Sequence, residues 1–277
     1  MLVKFKDILA IAEAKSFAIP AFNAYNMETA MGIIHAAEET KSPVIIQAYS
    51  RLFEYGTAFY LAPIILKGAE EAKVPVCFHL DHGTGIVPVM RALRYGCTGI
   101  MFDRSSLSFE ENAAQTKQVV DLCAASGVTV EGELGHIGTT KEEVSEFVYT
   151  EVDDAVKFVE QTGVVALAIA VGTAHGRYKK APQVNISRIA EIHKAIPAAV
   201  VLHGGSGIPD DQVRDAIAAG IRKVNFGTDV CYSFLDKVFE TSREVFAVDI
   251  FMRGAIDAVR DFAVSKIQLL GAEGKAE

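Results

Sequence analysis

The 277-residue chain has no tryptophan and only four cysteines, and its 27 Lys and Arg residues are outnumbered by 35 Asp and Glu. Each shortage excludes something. Nucleic-acid binding needs a concentrated Lys/Arg footprint, and a net charge of -8 without a basic run supplies none. An anionic small molecule would need positive charge placed locally. Cys77, Cys97, Cys123 and Cys231 are scattered through apolar segments, without disulfide-framework or metal-site spacing. That pattern fits core filling in a reducing compartment. No uninterrupted apolar stretch is long enough to span a bilayer, and no charged-then-apolar leader pattern appears. The expectation is a soluble, cytoplasmic protein that engages neither membrane nor nucleic acid.

What is abundant is apolar: 50% of the residues are hydrophobic, enough for one large core, so a single domain over 1–277 is the simplest organisation. Short β-branched or apolar runs recur at 18–23, 43–48, 75–80, 98–103, 128–133, 164–171, 198–203 and 222–226. Segments of helical periodicity lie between them, at 27–40, 58–73, 109–126, 152–162 and 186–196. Gly96, Gly127, Gly163 and Gly220 precede strands, where a helix C-cap is wanted. Runs as continuous as Val164 to Val171 suit a parallel sheet covered by helices on its faces. About eight β-then-α units predict an α/β fold, a (β/α)8 TIM barrel, with 249–270 as an additional C-terminal helix.

Catalysis in such barrels belongs to the C-terminal ends of the strands and the loops beyond them. The predicted ends carry Asn23, Asp81 with His82, Asp103, Glu133, His175, His203 and Asn225, whereas Pro75 and Lys223 fall at strand starts. A stability role gives titratable groups no reason to favour one rim. Three neutral imidazoles from separate loops, His82, His175 and His203, suit a catalytic zinc that keeps a fourth position open. Polar capping of a barrel rim is the plainer alternative. His35 and His193 lie in helical patterns, His79 reads as a hydrogen-bonded core histidine, and loop residue His136 fits either role. Two glycine-rich stretches, His203-Gly204-Gly205-Ser206-Gly207 and Asn225-Phe226-Gly227-Thr228, follow the seventh and eighth strands. Loops at those places recurrently bind phosphate through backbone N–H groups and a helix N-terminus.

Six segments then carry a resemblance: Pro20-Ala21-Phe22-Asn23, His79-Leu80-Asp81-His82, Glu131-Gly132-Glu133-Leu134-Gly135, Gly172-Thr173-Ala174-His175-Gly176, His203 to Gly207, and Asn225 to Asp229. In this order, over nearly the whole chain, they resemble the class II, zinc-dependent ketose-bisphosphate aldolases, with a compactness closer to the tagatose-bisphosphate branch. The resemblance implies zinc on His82, His175 and His203, and Asp81 as a proton-transfer residue. It implies dihydroxyacetone phosphate held by Asn23, Gly176, Gly204, Gly205, Ser206 and the stretch Asn225, Phe226, Gly227 and Thr228. It also implies a monovalent cation, Na+ or K+, and assembly as a homodimer or homotetramer. A glutamate on the loop after the fifth strand would serve C3, which makes Glu142 or Glu143 the candidate; that loop departs from the usual double-glycine form. Asp103 and Glu133 match an alternate metal position, or support the rim as hydrogen-bonded carboxylates. Arg253 matches an arginine that reaches a neighbouring subunit's site, or is a surface residue.

The expected reaction is reversible cleavage of a ketose 1,6-bisphosphate, of tagatose or fructose type, or a related deoxy-sugar or sugar-acid phosphate, into dihydroxyacetone phosphate and an aldehyde. The chemistry needs a Lewis acid at the C2 carbonyl and a base for the C4 hydroxyl. Imine chemistry would need a lysine inside the barrel; the sixth strand has none, and Lys223 sits at its strand's start. Tyr49, where relatives often have serine or threonine, narrows the pocket, and Gly227 replaces an aspartate or alanine. The competing readings are a sugar-phosphate-binding barrel without turnover and a metal-free isomerase. Asp81 beside His82 argues against the first, since binding alone needs no base.

Overall fold

Eight parallel strands close into one barrel in sequence order. They are β1 (Ile19–Asn23), β2 (Val44–Tyr49), β3 (Val76–Gly83), β4 (Gly99–Phe102), β5 (Thr129–Leu134), β6 (Ala166–Ile169), β7 (Ala199–Leu202) and β8 (Ile221–Phe226). The coordinates, a computed structural model, describe residues 1–138, 149–176, 178 and 181–276. Among these, the helices are α1 (Phe5–Lys15), α2 (Met27–Glu39), α3 (Ser50–Glu54), α4 (Ala58–Glu71), α5 (Ile86–Arg94) and α6 (Phe109–Ala124). They continue with α7 (Val152–Thr162), α8 (Ile186–Ala195), α9 (Asp210–Ala219), α10 (Thr228–Glu240), α11 (Val248–Phe251) and α12 (Arg253–Leu269).

Local signals explain the joints. Asn26 and Thr29 form a reciprocal capping box at the start of α2, as Ser108 and Glu111 do for α6, each satisfying backbone donors that a helix start leaves orphaned. The four glycines expected to end helices, Gly96, Gly127, Gly163 and Gly220, all adopt positive φ.

The strands are buried along almost their entire length, because helices cover the outer face and side chains fill the inside. Before the first strand, α1 lies across the N-terminal end of the barrel, with Phe5 4.5 Å from the His79 ring. At the other end of the chain, α12 packs against α2 and α10. The segment expected as one helix over 249–270 divides at Met252 into α11 and α12. No helix among the described residues is long and apolar enough to cross a membrane.

Candidate active site

The C-terminal rim gathers residues from all eight strands or the loops after them. β3 runs three residues further than expected and delivers Asp81 and His82 from within the strand itself. His82 has φ 49, the left-handed region, which for a side chain of this size costs about 1–3 kcal/mol and is tolerated where function demands an orientation. The twist brings its ring to 4.9 Å from His175 and 5.0 Å from His203, and those two lie 5.7 Å apart, centroid to centroid.

In each ring one nitrogen is committed and the other is not. His82 Nδ1–H donates to Asp103 at 2.8 Å, His175 Nδ1–H to the Ile137 carbonyl at 3.1 Å, and His203 Nε2–H to Glu131 at 2.9 Å. That leaves His82 Nε2 beside the Asp81 carboxylate at 3.9 Å, while His175 Nε2 and His203 Nδ1 are buried without a partner. Ligand atoms of the three rings lie within 4.8 Å of one another. Buried polar nitrogens without partners are costly, and a divalent ion among the rings would satisfy both of these and take His82 Nε2 as a third donor. This donor set therefore fits zinc, with the opposite ring nitrogens fixed by oxygen acceptors. His82, Asp103 and Glu133 form a second group with the same spread, overlapping the first at His82.

Electrostatics points the same way. Burial lowers the pKa of His175 to about 4, reinforced by His82, and puts His203 well below its ordinary value. Both are therefore neutral, lone-pair-bearing imidazoles near pH 7. At His82 burial also opposes charge, but Asp81, the Asp103 hydrogen bond and Glu133 outweigh it and raise the pKa to about 10. The carboxylates favour a cation at this point, whether proton or metal. Asp103 is held below the usual carboxylate range, because its bonds to His82 and Ser105 overcome burial. Glu133 moves the other way, up to about 8, through burial and the nearby Asp103 charge. Ser105 Oγ lies 2.8 Å from Asp103 and 2.9 Å from Glu133, bridging the two.

Asp81 is buried and held from both sides. Asn23 Nδ2 donates to it at 2.7 Å and Asn225 Nδ2 at 3.4 Å, while Gln47 donates to Asn23 Oδ1 at 3.2 Å and so fixes which face Asn23 presents. A cavity of about 320 Å³ opens above, within the range of small-ligand sites. Asn23, Asp81, His82, Asp103, His175, Gly176, Gly204, Ser206, Asn225, Gly227 and Thr228 line it, as do Tyr25, Tyr49, Arg51 and His136. The glycine cradle is sterically strict. A Cβ on Gly204, at φ 67, would stand 2.3 Å from the Ala174 carbonyl oxygen, and one on Gly205 would stand 2.8 Å from that of Asn225.

Several expectations need correction. Phe226 does not reach the cavity with its side chain, which stacks on Phe22 at 5.6 Å inside the core. Glu133 stands with His82 and Asp103 in the second possible metal group, as expected, although neither it nor Gly205 is among the residues lining the cavity. Arg253 begins α12 as an exposed residue outside the lining of this chain's own cavity, a placement that agrees with both the neighbouring-subunit and the surface readings. Glu142 and Glu143 lie outside the described residues. His79 is buried, but neither ring nitrogen finds a hydrogen-bond partner; burial, then Lys223, lowers its pKa to about 3. Lys223 is not at an edge but fully buried within the barrel, its Nζ donating to Glu131 at 2.7 Å. Glu131, Lys223, Gln47 and Tyr25 are site-forming residues to which sequence reasoning gave no role. Only the inward-pointing alternation of their strands could have flagged the first three.

Comparison with known proteins gives a consistent answer. The profile described as "Fructose-bisphosphate aldolase class-II" matches residues 3–275. The chain is 39% identical to the Escherichia coli K12 protein YdjI, over 96% of both chains. The crystal structure of YdjI, described as an aldolase, superposes over all of both chains with a TM-score of 0.91. A fructose-bisphosphate aldolase of Thermus caldophilus is 37% identical over 100% of both chains. A sulfofructosephosphate aldolase of Alkalicoccus urumqiensis is 34% identical over 98% of this chain and 97% of its own.

Proposed function

The chain belongs to the class-II fructose-bisphosphate aldolase family, and from that premise we propose a zinc-dependent enzyme that reversibly cleaves a ketose phosphate into dihydroxyacetone phosphate and an aldehyde. The substrate is a ketose 1,6-bisphosphate of fructose or tagatose type, or a related deoxy-sugar or sugar-acid phosphate. Relatives named for fructose bisphosphate and for sulfofructosephosphate differ in the group at one end of the sugar, which keeps that class open. A monovalent cation, Na+ or K+, and a homodimeric or homotetrameric assembly complete the proposal.

The observation that carries it is the convergence of three imidazoles, two with buried unpartnered nitrogens, next to a buried carboxylate. When bound by His82, His175 and His203, zinc supplies a Lewis acid that stabilises the negative charge of an enediolate. Asp81 takes the C4 hydroxyl proton as the C3–C4 bond breaks and returns it to the aldehyde oxygen in condensation. Asn23 and Asn225 hold the Asp81 carboxylate on station, at 2.7 and 3.4 Å. Gly176, Gly204 to Ser206 and Gly227 to Thr228 form the cradle for the C1 phosphate, with Thr228 at the N-terminus of α10. Glu142 is the candidate for proton transfer at C3. Lys223 is an unsuitable imine nucleophile, because its ammonium is buried and paired with Glu131.

A retro-aldol assay over ketose bisphosphates and deoxyketose phosphates, with chelator and zinc add-back, tests this. Triose phosphate release should vanish with the metal and return with zinc. Asp81→Ala should lose about 10²–10⁴-fold in kcat, the usual worth of a general base, while retaining zinc. Turnover that survives complete metal removal, or a near-normal rate in Asp81→Ala, rejects the mechanism. A silent panel with tight phosphate binding favours a binder instead.

A further inference from the structure

The reaction as proposed leaves one cation at the cavity without a task. Arg51, the second residue of α3, comes directly after β2 and lines the cavity beside Tyr25 and Tyr49. Its guanidinium lies 4.8 Å from the Tyr49 ring centroid and 5.8 Å from that of Tyr25. Among the described residues its guanidinium forms no ion pair and donates no hydrogen bond. Glu54, the nearest acid in the chain, is instead engaged by Ser50 and Thr84. A guanidinium resting on an aromatic face still has its N–H edges free, and those edges match the two oxygens of a phosphate, sulfonate or carboxylate.

Position gives that geometry a direction. In the closed order β1 to β8, β2 stands across the barrel from β6 and two strands from β8, and the glycine cradle, built from the loops after β6, β7 and β8, has only its Gly227 end beside the Tyr25 hydroxyl. The histidines lie between, with the Tyr49 ring 5.8 Å from the His82 ring. A ketose phosphate anchored in the cradle, with C2 and C3 at the imidazoles and its C4 hydroxyl at Asp81 on β3, runs its remaining carbons toward β2. Its far end meets Arg51.

We propose that Arg51, held on Tyr25 and Tyr49, binds an anionic group at the far end of the aldehyde half and so selects anionic over neutral aldehydes. The inference rests on the aldolase reading. It places the recognising cation within the same chain, whereas Arg253 is remote from this chain's cavity.

The test is condensation of dihydroxyacetone phosphate with four aldehydes: glyceraldehyde 3-phosphate, 3-sulfolactaldehyde, succinic semialdehyde and uncharged glyceraldehyde. Wild type, Arg51→Met and Arg51→Lys are compared by kcat/KM. Arg51→Met should reduce the ratio of the best anionic aldehyde over glyceraldehyde by about 10–100-fold, mostly through KM, as expected for one charge-assisted bidentate contact. Arg51→Lys should fall between. The ratio comes from a single preparation, so a change in folded fraction does not move it. The anion showing the largest drop identifies the class. An unchanged ratio in Arg51→Met, or a wild type that prefers glyceraldehyde, overturns the inference while leaving the aldolase intact. A wild type that condenses none of the four sinks both.

Discussion

At the residue scale, the layer beneath the histidines decides how the site is held. Lys223 Nζ sits 2.7 Å from Glu131 Oε2, and the other oxygen of Glu131 accepts from His203 at 2.9 Å. All three side chains are fully buried. The lysine keeps the carboxylate from being an isolated buried charge, and the carboxylate fixes the His203 proton on Nε2, leaving Nδ1 toward the other rings. Removing one member of a buried pair typically costs about 3–5 kcal/mol, whereas replacing both is often nearly neutral. Lys223→Met should therefore destabilise by about that much in urea unfolding. Glu131→Gln should weaken zinc about 10–100-fold in chelator competition. The double variant should recover stability but not zinc affinity; recovery of both would mean that Glu131 does not orient His203.

At the element scale, the outer helices are placed by close approach. A Cβ on Gly32 in α2 would stand 2.8 Å from the Ile256 carbonyl oxygen and 2.9 Å from the Val259 side chain in α12. Overpacking of this kind costs about 1–3 kcal/mol. Gly32→Ala should lower the denaturation midpoint accordingly while leaving the m-value unchanged; a neutral result would mean that α12 can move away freely. The elements differ in how legible they were. Strands with uninterrupted apolar runs, such as β6 and β7, read clearly because both faces are buried. Helix α1 carries a helical stripe at Phe5, Ile8, Leu9 and Ala12, yet strand–helix alternation assigns nothing ahead of the first strand. The five residues of α3 are too few for any periodicity, and Arg51 sits there, which is why its place at the cavity was invisible.

At the scale of the whole molecule, the three proposed ligands tie together β3 and the loops after β6 and β7, residues 82, 175 and 203. A ligand that binds only the folded chain stabilises it by mass action. Stoichiometric zinc should raise the melting temperature of the metal-stripped protein, by about 2–4 °C for each kcal/mol of linkage in a chain approaching this size. His203→Ala should lose that response. An equal zinc-induced shift in His203→Ala would place the stabilising ion elsewhere.

The barrel was determined by the sequence itself, because eight apolar runs alternating with amphipathic segments have few ways to bury their faces, and short right-handed crossovers select the closed parallel sheet. The chemistry-bearing residue types were legible too, since titratable groups recur where those runs stop. What only the tertiary structure decided is which atoms meet. Residues 82, 175 and 203 converge through barrel closure, Lys223 enters the interior through the phase of its strand, and Arg51 reaches the cavity from the short helix after β2, stacked on Tyr25 and Tyr49. These are long-range distances and orientations, and local pattern, which reports only which face a residue prefers, carries no information about them.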